Sequence, residues 1–433
     1  MNNVLPTIPD GWRKSYIEDL AFLDREKLNE GTNGTFSFYY IDISAVSEGN
    51  LQLPATKISF RGSPSRARKV VRRGDVLMAS VRPNLKAFAY FDQTNDDCIA
   101  STGFAVLTAK PDVDPRFILA SILSDSVTAQ IESHVVGSNY PAINSKDIRR
   151  LEILAPPPPQ QRKIARILTT VDNLIEKTEA LIAKYQAIKQ GVMHDLFTRG
   201  VDSRGHLRPP YEEAPELYKP SELGWIPKEW ECVRCNEVCR EIAVGIVIQP
   251  AKYYQSEGVP VLRSANVRET GIVATDLVFM SDESNRLLAK SILRTGDVIT
   301  VRTGYPGTSC VVSPEYDGSN CVDIIISRPG TKVRSQFLAT WINSDSGKNQ
   351  ILRKQGGLAQ QHFNVGEQKD LLVVLPSLGE QAVIESVLLT QKSEIQIEER
   401  HRDKLHSLKT GLMQDLLTGK VRVKVNETEE VAT

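Results

Sequence analysis

The chain has 433 residues, 41% hydrophobic and 24% charged, with 53 basic residues balanced by 53 acidic ones. This is the composition of an ordinary globular protein with room for roughly two to four domains, and its zero formal charge excludes a chain that coats nucleic acid through a net basic face. No apolar run is long enough to span a bilayer, and the polar Met1–Asp10, with its two prolines, is unlike a secretory start, so the protein is expected in the cytoplasm.

Residues 1–155 read as a mixed α/β domain. It opens with Ile8-Pro9-Asp10-Gly11-Trp12. Phe36–Ile43, Val76–Val81, Lys86–Phe91 and Thr102–Leu107 have strand composition, and a helical stretch runs near Pro115–Val135. Arg61, Arg66, Arg68, Lys69, Arg72 and Arg73 fall close together with no acid among them. Phosphates reward such a cluster, and Gly62-Ser63-Pro64-Ser65 suggests a loop free to enter a groove, although a solvated edge has the same composition. Arg82-Pro83-Asn84 follows the Gly74-Asp75-Val76 strand, and arginine and asparagine are the side chains that best match guanine and adenine edges. Gly137-Ser138-Asn139-Tyr140 is a further candidate surface; an ordinary polar turn is the alternative at both places.

Residues 156–198 read as a long helix. Pro156–Pro159 stop anything upstream from being helical. Ile164, Ile167, Val171, Leu174, Thr178, Leu181, Tyr185, Ile188 and Val192 then recur at alternating steps of three and four, with Leu168, Ile175 and Ile182 widening the stripe. That is a heptad seam. At about 1.5 Å per residue the rod is roughly 57 Å long, more than a small domain needs for its own core. Residues 199–225 are rich in glycine, proline and charge, and are expected to be a connector that cannot fold alone.

Residues 226–375 form a second mixed α/β domain opening with Ile226-Pro227-Lys228-Glu229-Trp230. Its expected strands are Val259–Leu262, Asp297–Val301, Ser309–Val312 and Val322–Ser327, with a helix near Ser335–Lys354. Arg302 and Tyr305 follow its Gly296-Asp297-Val298 strand. Gln360, Gln361 and His362 occupy the place of Asn139 and Tyr140, and Arg263 and Asn266 are further candidates that equally well close a strand. Residues 376–418 are a second long helix, with Ile384, Leu388, Leu405, Leu408 and Leu412 apolar but Glu394, Glu398, His401 and Arg402 where the first seam is apolar. Such a helix would not pair with itself, so it is expected to pack against the first. Residues 419–433 are a short, acidic tail.

The halves are copies. Lys189, Gly191, Met193, Asp195, Leu196, Thr198 and Val201 recur without a gap as Lys409, Gly411, Met413, Asp415, Leu416, Thr418 and Val421. Gln161, Ile164 and Leu168 fall on Gln381, Ile384 and Leu388, Ser124-Asp125-Ser126 on Ser344-Asp345-Ser346, and Asn144 on Asn364. The frame is shared and the fillings differ, as in a tandem duplication.

This frame resembles the specificity subunit of type I restriction-modification systems: an Ile-Pro-x-x-Trp opening, a variable domain, a proline stop before Gln160-Gln161 or Glu380-Gln381, a long helix and a Met-x-Asp-Leu-x-Thr end. The match covers essentially the whole chain, and it lies in the order and duplication of the elements. The resemblance implies two target recognition domains, each reading one half of a split DNA sequence, spaced by two helices packed as an antiparallel coiled coil. It also implies a non-catalytic adaptor on which two adenine-N6 methyltransferase subunits dock, with restriction subunits joining them. S-adenosylmethionine, ATP and Mg would then belong to the partners, with no cofactor in this chain. Independently of the resemblance, two homologous domains on an antiparallel helix pair are related by a pseudo-twofold axis that matches the symmetry of duplex DNA, whose half-sites one turn apart lie roughly 34–36 Å from each other.

Other motifs carry less. Cys232, Cys235 and Cys239 supply three thiols where a structural zinc needs four ligands. Arg208-Pro209-Pro210-Tyr211 superficially resembles the Asn/Asp-Pro-Pro-Tyr motif of adenine methyltransferases, but arginine cannot accept from the target amino group. Glu367-Gln368-Lys369 has nuclease-like spacing without an upstream aspartate, and no Gly-x-x-x-x-Gly-Lys-Ser/Thr loop occurs. The rival reading is a duplicated coiled-coil scaffold that binds proteins and no DNA.

Overall fold

A computed structural model describes residues 8–47, 49–95, 97–135, 141–354 and 362–425. It divides into two compact units, Met1–Ala180 with Glu399–Thr433, and Leu181–Glu398. Each unit contains a mixed helix and sheet domain together with one end of each long helix. Among the described residues no helix is long and apolar enough to cross a membrane.

In the first unit, Arg13–Tyr16 pairs antiparallel with Glu152–Ala155, so the start of the domain is stitched to the strand that leads into the long helix. One sheet has the order Ile58–Ser59, Ser37–Ile41, Cys98–Ser101, Ala67–Val71. The other has Ala21–Leu23, Phe104–Ala109, Asp75–Ala79, Phe88–Tyr90. All five residues of Asp75–Ala79 are buried, which is why Val76–Ala79 is continuously apolar and does not alternate. The expected strand at Lys86–Phe91 is shortened to Phe88–Tyr90, because Pro83–Leu85 closes a tight turn and Lys86 takes a left-handed conformation. The long helical stretch breaks in two, Pro115–Leu123 and Asp125–His134, at Ser124, whose hydroxyl donates to the Ser121 carbonyl and accepts from Val127 N–H. Ser344 makes the equivalent break in the second unit, so the repeated Ser-Asp-Ser is a helix cap.

The second unit repeats the plan. Glu231–Arg234 pairs with Leu372–Leu375. Its sheets run Cys239–Val244, Ile324–Pro329, Val298–Val301, Ser309–Val311 and Val278–Met280, Val259–Leu262, Asn320–Cys321. Phe197, from the end of the first long helix, meets Phe337 and Trp341 edge-on at 5.5 and 5.2 Å, anchoring that helix end in this unit's core.

The long helices span Pro158–Thr198 and Leu378–Leu417. Gln161 and Gln381, both buried, explain their identity across the repeat. Each donates to the carbonyl of the proline before its helix, Pro156 or Pro376, and accepts a backbone N–H at the start of the unit's own shorter helix, Asp114 or Arg334.

Within the first unit the two helix segments run antiparallel. Asp172 pairs with Lys409 at 2.6 Å and Glu179 lies 3.9 Å from His406, so one number falls as the other rises. Val171, Ile175, Leu405 and Leu412 form their shared apolar cluster, and Ile164 and Leu168 join Leu416 and Leu417 in the domain core. The expected pairing of the first helix with the second therefore holds, but the seam is rotated. Residues Leu168, Ile175 and Ile182 are buried, whereas Leu174 and Ile188 are 45% and 41% exposed, Leu408 is 50% exposed, and Ile167 and Leu181 are half-buried. The positions 164, 171 and 178 belong to both candidate stripes, and packing selects the partner stripe one residue later. Of the polar group in the second helix, Glu394 and His401 face outward and Glu398 and Arg402 are half-buried.

The connector is also more ordered than its composition suggests. Tyr218–Ser221 and Gly224–Pro227 form a hairpin, Tyr211 stacks on Trp225 at 4.3 Å, and Tyr218 donates to the Pro209 carbonyl. Arg208, the arginine of the methyltransferase-like motif, is an anchor: it pairs with Glu380 at 2.5 Å.

Candidate nucleic-acid interface

Folding reassigns part of the basic cluster in the first unit. Ala67–Val71 is a strand with residues 67, 69 and 71 turned inward, so the loop ends at Arg66. Lys69 is consequently buried, pairing with Asp24 at 2.8 Å and donating to the Phe104 carbonyl. A buried, neutralised ammonium is withheld from phosphates, which corrects its assignment to the contact surface. Arg68 lies over the Phe60 ring at 5.0 Å and is half-buried, and Arg72 pairs with Glu26. Arg61 and Arg66 remain exposed.

Strand connections bring Arg66 and Arg82 to one neighbourhood. Thr102 N–H donates to the Arg66 carbonyl, and Ser80 N–H donates to the carbonyl of Gly103 next door. Arg82 itself is left-handed at φ 50° and exposed, with its N–H on the Pro141 carbonyl, and Asn84 is exposed in the turn that follows. Asn139 and Tyr140 lie outside the described residues. The paired asparagines Asn144 and Asn364 are helix N-caps: Asn144 accepts from Lys146 and Asp147 N–H, and Asn364 accepts from Glu367 N–H while Glu367 accepts from Asn364 N–H. Glu367, the first residue of the nuclease-like triplet, is thereby committed to a capping box.

In the second unit Arg302 directly follows the Val298–Val301 strand, and its guanidinium is held. Nη1 donates to Asp323 at 2.6 Å and Nε to the Phe363 carbonyl at 3.1 Å, while Thr303 donates its hydroxyl to the other Asp323 oxygen at 2.8 Å. Tyr305, three residues on, is 84% exposed. A segment that the composition did not mark joins them. Ile246 bridges Val322, Asp323 N–H donates to the Ile246 carbonyl, and Val247 and Ile248 stand out of this turn, Ile248 74% exposed. The approach requires Gly245, since a Cβ there would sit 2.5 Å from the Cys321 carbonyl oxygen. The signal in the sequence was Val247-Ile248-Gln249-Pro250, an apolar pair directly before a turn. His362 is exposed beside Phe363, and Gln360 and Gln361 lie outside the described residues.

Asn266 is not on this surface. It is fully buried, donating to the Val273 and Thr275 carbonyls and accepting Arg263 N–H, and Arg263 donates to the Asp276 carbonyl. Both residues close a turn, which corrects their assignment as readers. Cys235 and Cys239 lie in sulfur contact at 3.8 Å, with Gln368 against Cys235, and burial pushes the Cys310 thiol up to about 12.

A buried aspartate stands at the start of the buried inner strand of each unit, Asp75 as the first residue of Asp75–Ala79 and Asp297 directly before Val298–Val301. Asp75 accepts Arg72 N–H and the Thr108 hydroxyl, and Asp297 accepts Arg294 N–H. Burial holds both carboxyls above the ordinary aspartate value, with these hydrogen bonds opposing it. The chemistry of the two surfaces is therefore donation of arginine and amide N–H groups beside exposed aromatic and aliphatic side chains. It suits groove edges and phosphates.

Residues 9–186 match the family model described as the type I restriction modification DNA specificity domain. The type I restriction enzyme MjaVIII specificity subunit of Methanocaldococcus jannaschii is 27% identical over 306 residues, 68% of each chain. A putative MjaX specificity subunit of the same organism is 24% identical over 435 aligned residues, 96% of this chain and 95% of its own. Among solved structures, one described under complex assembly and conformational transition of the type I R-M system superimposes with a TM-score of 0.58 at 22% identity, covering 96% of this chain and all of that one. The type I restriction-modification S subunit from M. genitalium gives 0.55 at 14% identity, covering 98% of each. The fold is shared at 14% to 22% sequence identity.

Proposed function

Since the chain belongs to the family of type I restriction-modification specificity subunits, we propose that it reads a bipartite DNA target. Each half-site falls to one unit, and the chain positions methyltransferase and restriction partners that hold the catalytic residues. The carrying observation is that an arginine, Arg82 or Arg302, stands just beyond the buried inner strand of each unit. Arg82 comes three residues after Asp75–Ala79 and Arg302 directly after Val298–Val301, and each is followed by an exposed turn. Asn84 in one turn and Tyr305 in the other give the two units different donors and surfaces, so the half-sites differ. Arg61 and Arg66 supply phosphate contacts beside Arg82, and His362 extends the second surface beside Arg302.

The long helices contribute to both units and are proposed to fix the gap between half-sites. Leu174, Ile188 and Leu408, left exposed by the rotated seam, offer apolar area on those helices for the partner subunits. This assignment rests on family membership, with two methyltransferase copies expected from the duplication. Nothing in the structure favours a scaffold without DNA specificity.

Gel-shift of the chain assembled with its methyltransferase partner tests the reading. Replacing residues 9–150 with the corresponding residues of a relative should change one half-site and leave the other. Equal affinity for all duplexes would support the scaffold instead.

A further inference from the structure

We propose that Asp323 is a positioning residue that converts Arg302 from a general cation into a base reader, an inference that rests on the second unit being a DNA-reading domain. Three observations meet at this residue. Its carboxylate is divided, with one oxygen taking Arg302 Nη1 at 2.6 Å and the other the Thr303 hydroxyl at 2.8 Å. Its backbone is left-handed at φ 53°, a conformation uncommon for a residue with a side chain. Finally, its N–H is bound by the Ile246 carbonyl, so the exposed Val247-Ile248 turn and the Arg302 turn share it as their joint.

The physical consequence follows from the donor inventory of arginine. Nε is committed to the Phe363 carbonyl and one Nη1 hydrogen to Asp323. Among the described residues Nη2 makes no hydrogen bond, and with the second Nη1 hydrogen it supplies the two donors that span O6 and N7 of a guanine. The carboxylate also neutralises most of the charge that would draw the guanidinium to phosphates. Directional N–H groups on a fixed plane, with little net charge, favour base edges over backbone. Gly103 precedes Phe104, which pairs with Ala79, as Asp323 precedes Ile324, which pairs with Val301, so the first unit has glycine where the second has this carboxylate. The carboxylate therefore belongs to the second unit's sequence, which gives a reason for the two units to read differently.

The test uses the assembled complex with its methyltransferase partner and a panel of duplexes carrying single base-pair changes in each half-site. Asp323→Asn and Asp323→Gly both tolerate positive φ, so they remove the carboxylate charge without straining the backbone. Each is expected to lose roughly tenfold discrimination at one base pair of one half-site, with the other half-site unchanged in the same molecules. Arg302→Ala should lose discrimination at that same base pair, and the double variant Arg302→Ala with Asp323→Gly should lose no more than Arg302→Ala alone. Full discrimination in both Asp323 variants, with loss in Arg302→Ala, would overturn the positioning role and leave DNA reading intact. Additive losses in the double variant would overturn it too, because Asp323 would then act without Arg302. Full discrimination in Arg302→Ala would remove this surface as a reader altogether.

Discussion

The indole of Trp230 donates to the Glu380 carboxylate at 3.0 Å, and 220 residues earlier in the repeat Gln160 accepts from the indole of Trp12 at the same distance. The same contact, opening tryptophan to helix start, is made in both units, with an amide acceptor in the first and an acid in the second. The difference has a local reason. Glu380 also takes Arg208 and the Val201 N–H, so it pins the connector that enters the second unit.

Replacing that acid by the residue of the other copy, Glu380→Gln, keeps an acceptor for Trp230 but leaves Arg208 without its buried counter-ion. The expected cost is about 3 kcal/mol, read as a lower urea midpoint. Discrimination at the half-site read by the first unit should persist in protein that remains folded.

The register of the helix pair is tested by neighbours. Ile175 is 7% exposed and Leu174 is 45% exposed. Ile175→Ala should destabilise by about 2–3 kcal/mol, whereas Leu174→Ala should change stability by less than about 1 kcal/mol and weaken partner assembly instead. Equal destabilisation by both would restore the unrotated seam.

Within the basic cluster, Arg66→Ala should leave the unfolding midpoint unchanged and reduce the salt dependence of DNA binding by about one unit of slope. Lys69→Ala should do the reverse. It strands the buried Asp24 carboxylate and costs about 3 kcal/mol with no change in slope. Chemical unfolding alongside binding at several salt concentrations separates the two.

Stability should also carry a pH signature from Asp75. Burial raises its folded value above the ordinary 3.8, so the folded state favours the protonated form. That contribution is complete below the ordinary value and is lost as pH rises through the raised one. Asp75→Asn, which is neutral throughout, should therefore gain on the wild type as pH increases from about 4 to about 7. A constant difference between the two urea midpoints across that range would show that the carboxyl does not titrate with folding.

Much of this architecture is legible in the sequence, because duplication doubles every signal: the opening tryptophans, the Gly-Asp-Val strands and the two long helices each appear twice. The seam was legible only to within one residue. A stripe through Ile167 and a stripe through Leu168 are not separable by pattern when Ile167, Leu168, Leu174, Ile175, Leu181 and Ile182 are all apolar. Lys69 could have been found, since Ala67, Lys69 and Val71 alternate as a strand facing a core. Asn266, whose partners lie 3, 7 and 9 residues away, is local enough to be read as closing a turn, whereas Asp323 could not be found, because a carboxylate under an arginine 21 residues away depends on how two strands pair.

The central claim, two different readers on one chain, is tested most directly by mapping adenine methylation across the genome of a host that carries this chain with its partners, before and after Arg302→Ala. The account predicts a split motif with unlike halves and a fixed gap, and a change confined to one half in the variant. An undivided motif, or a change that spreads to both halves, would contradict it.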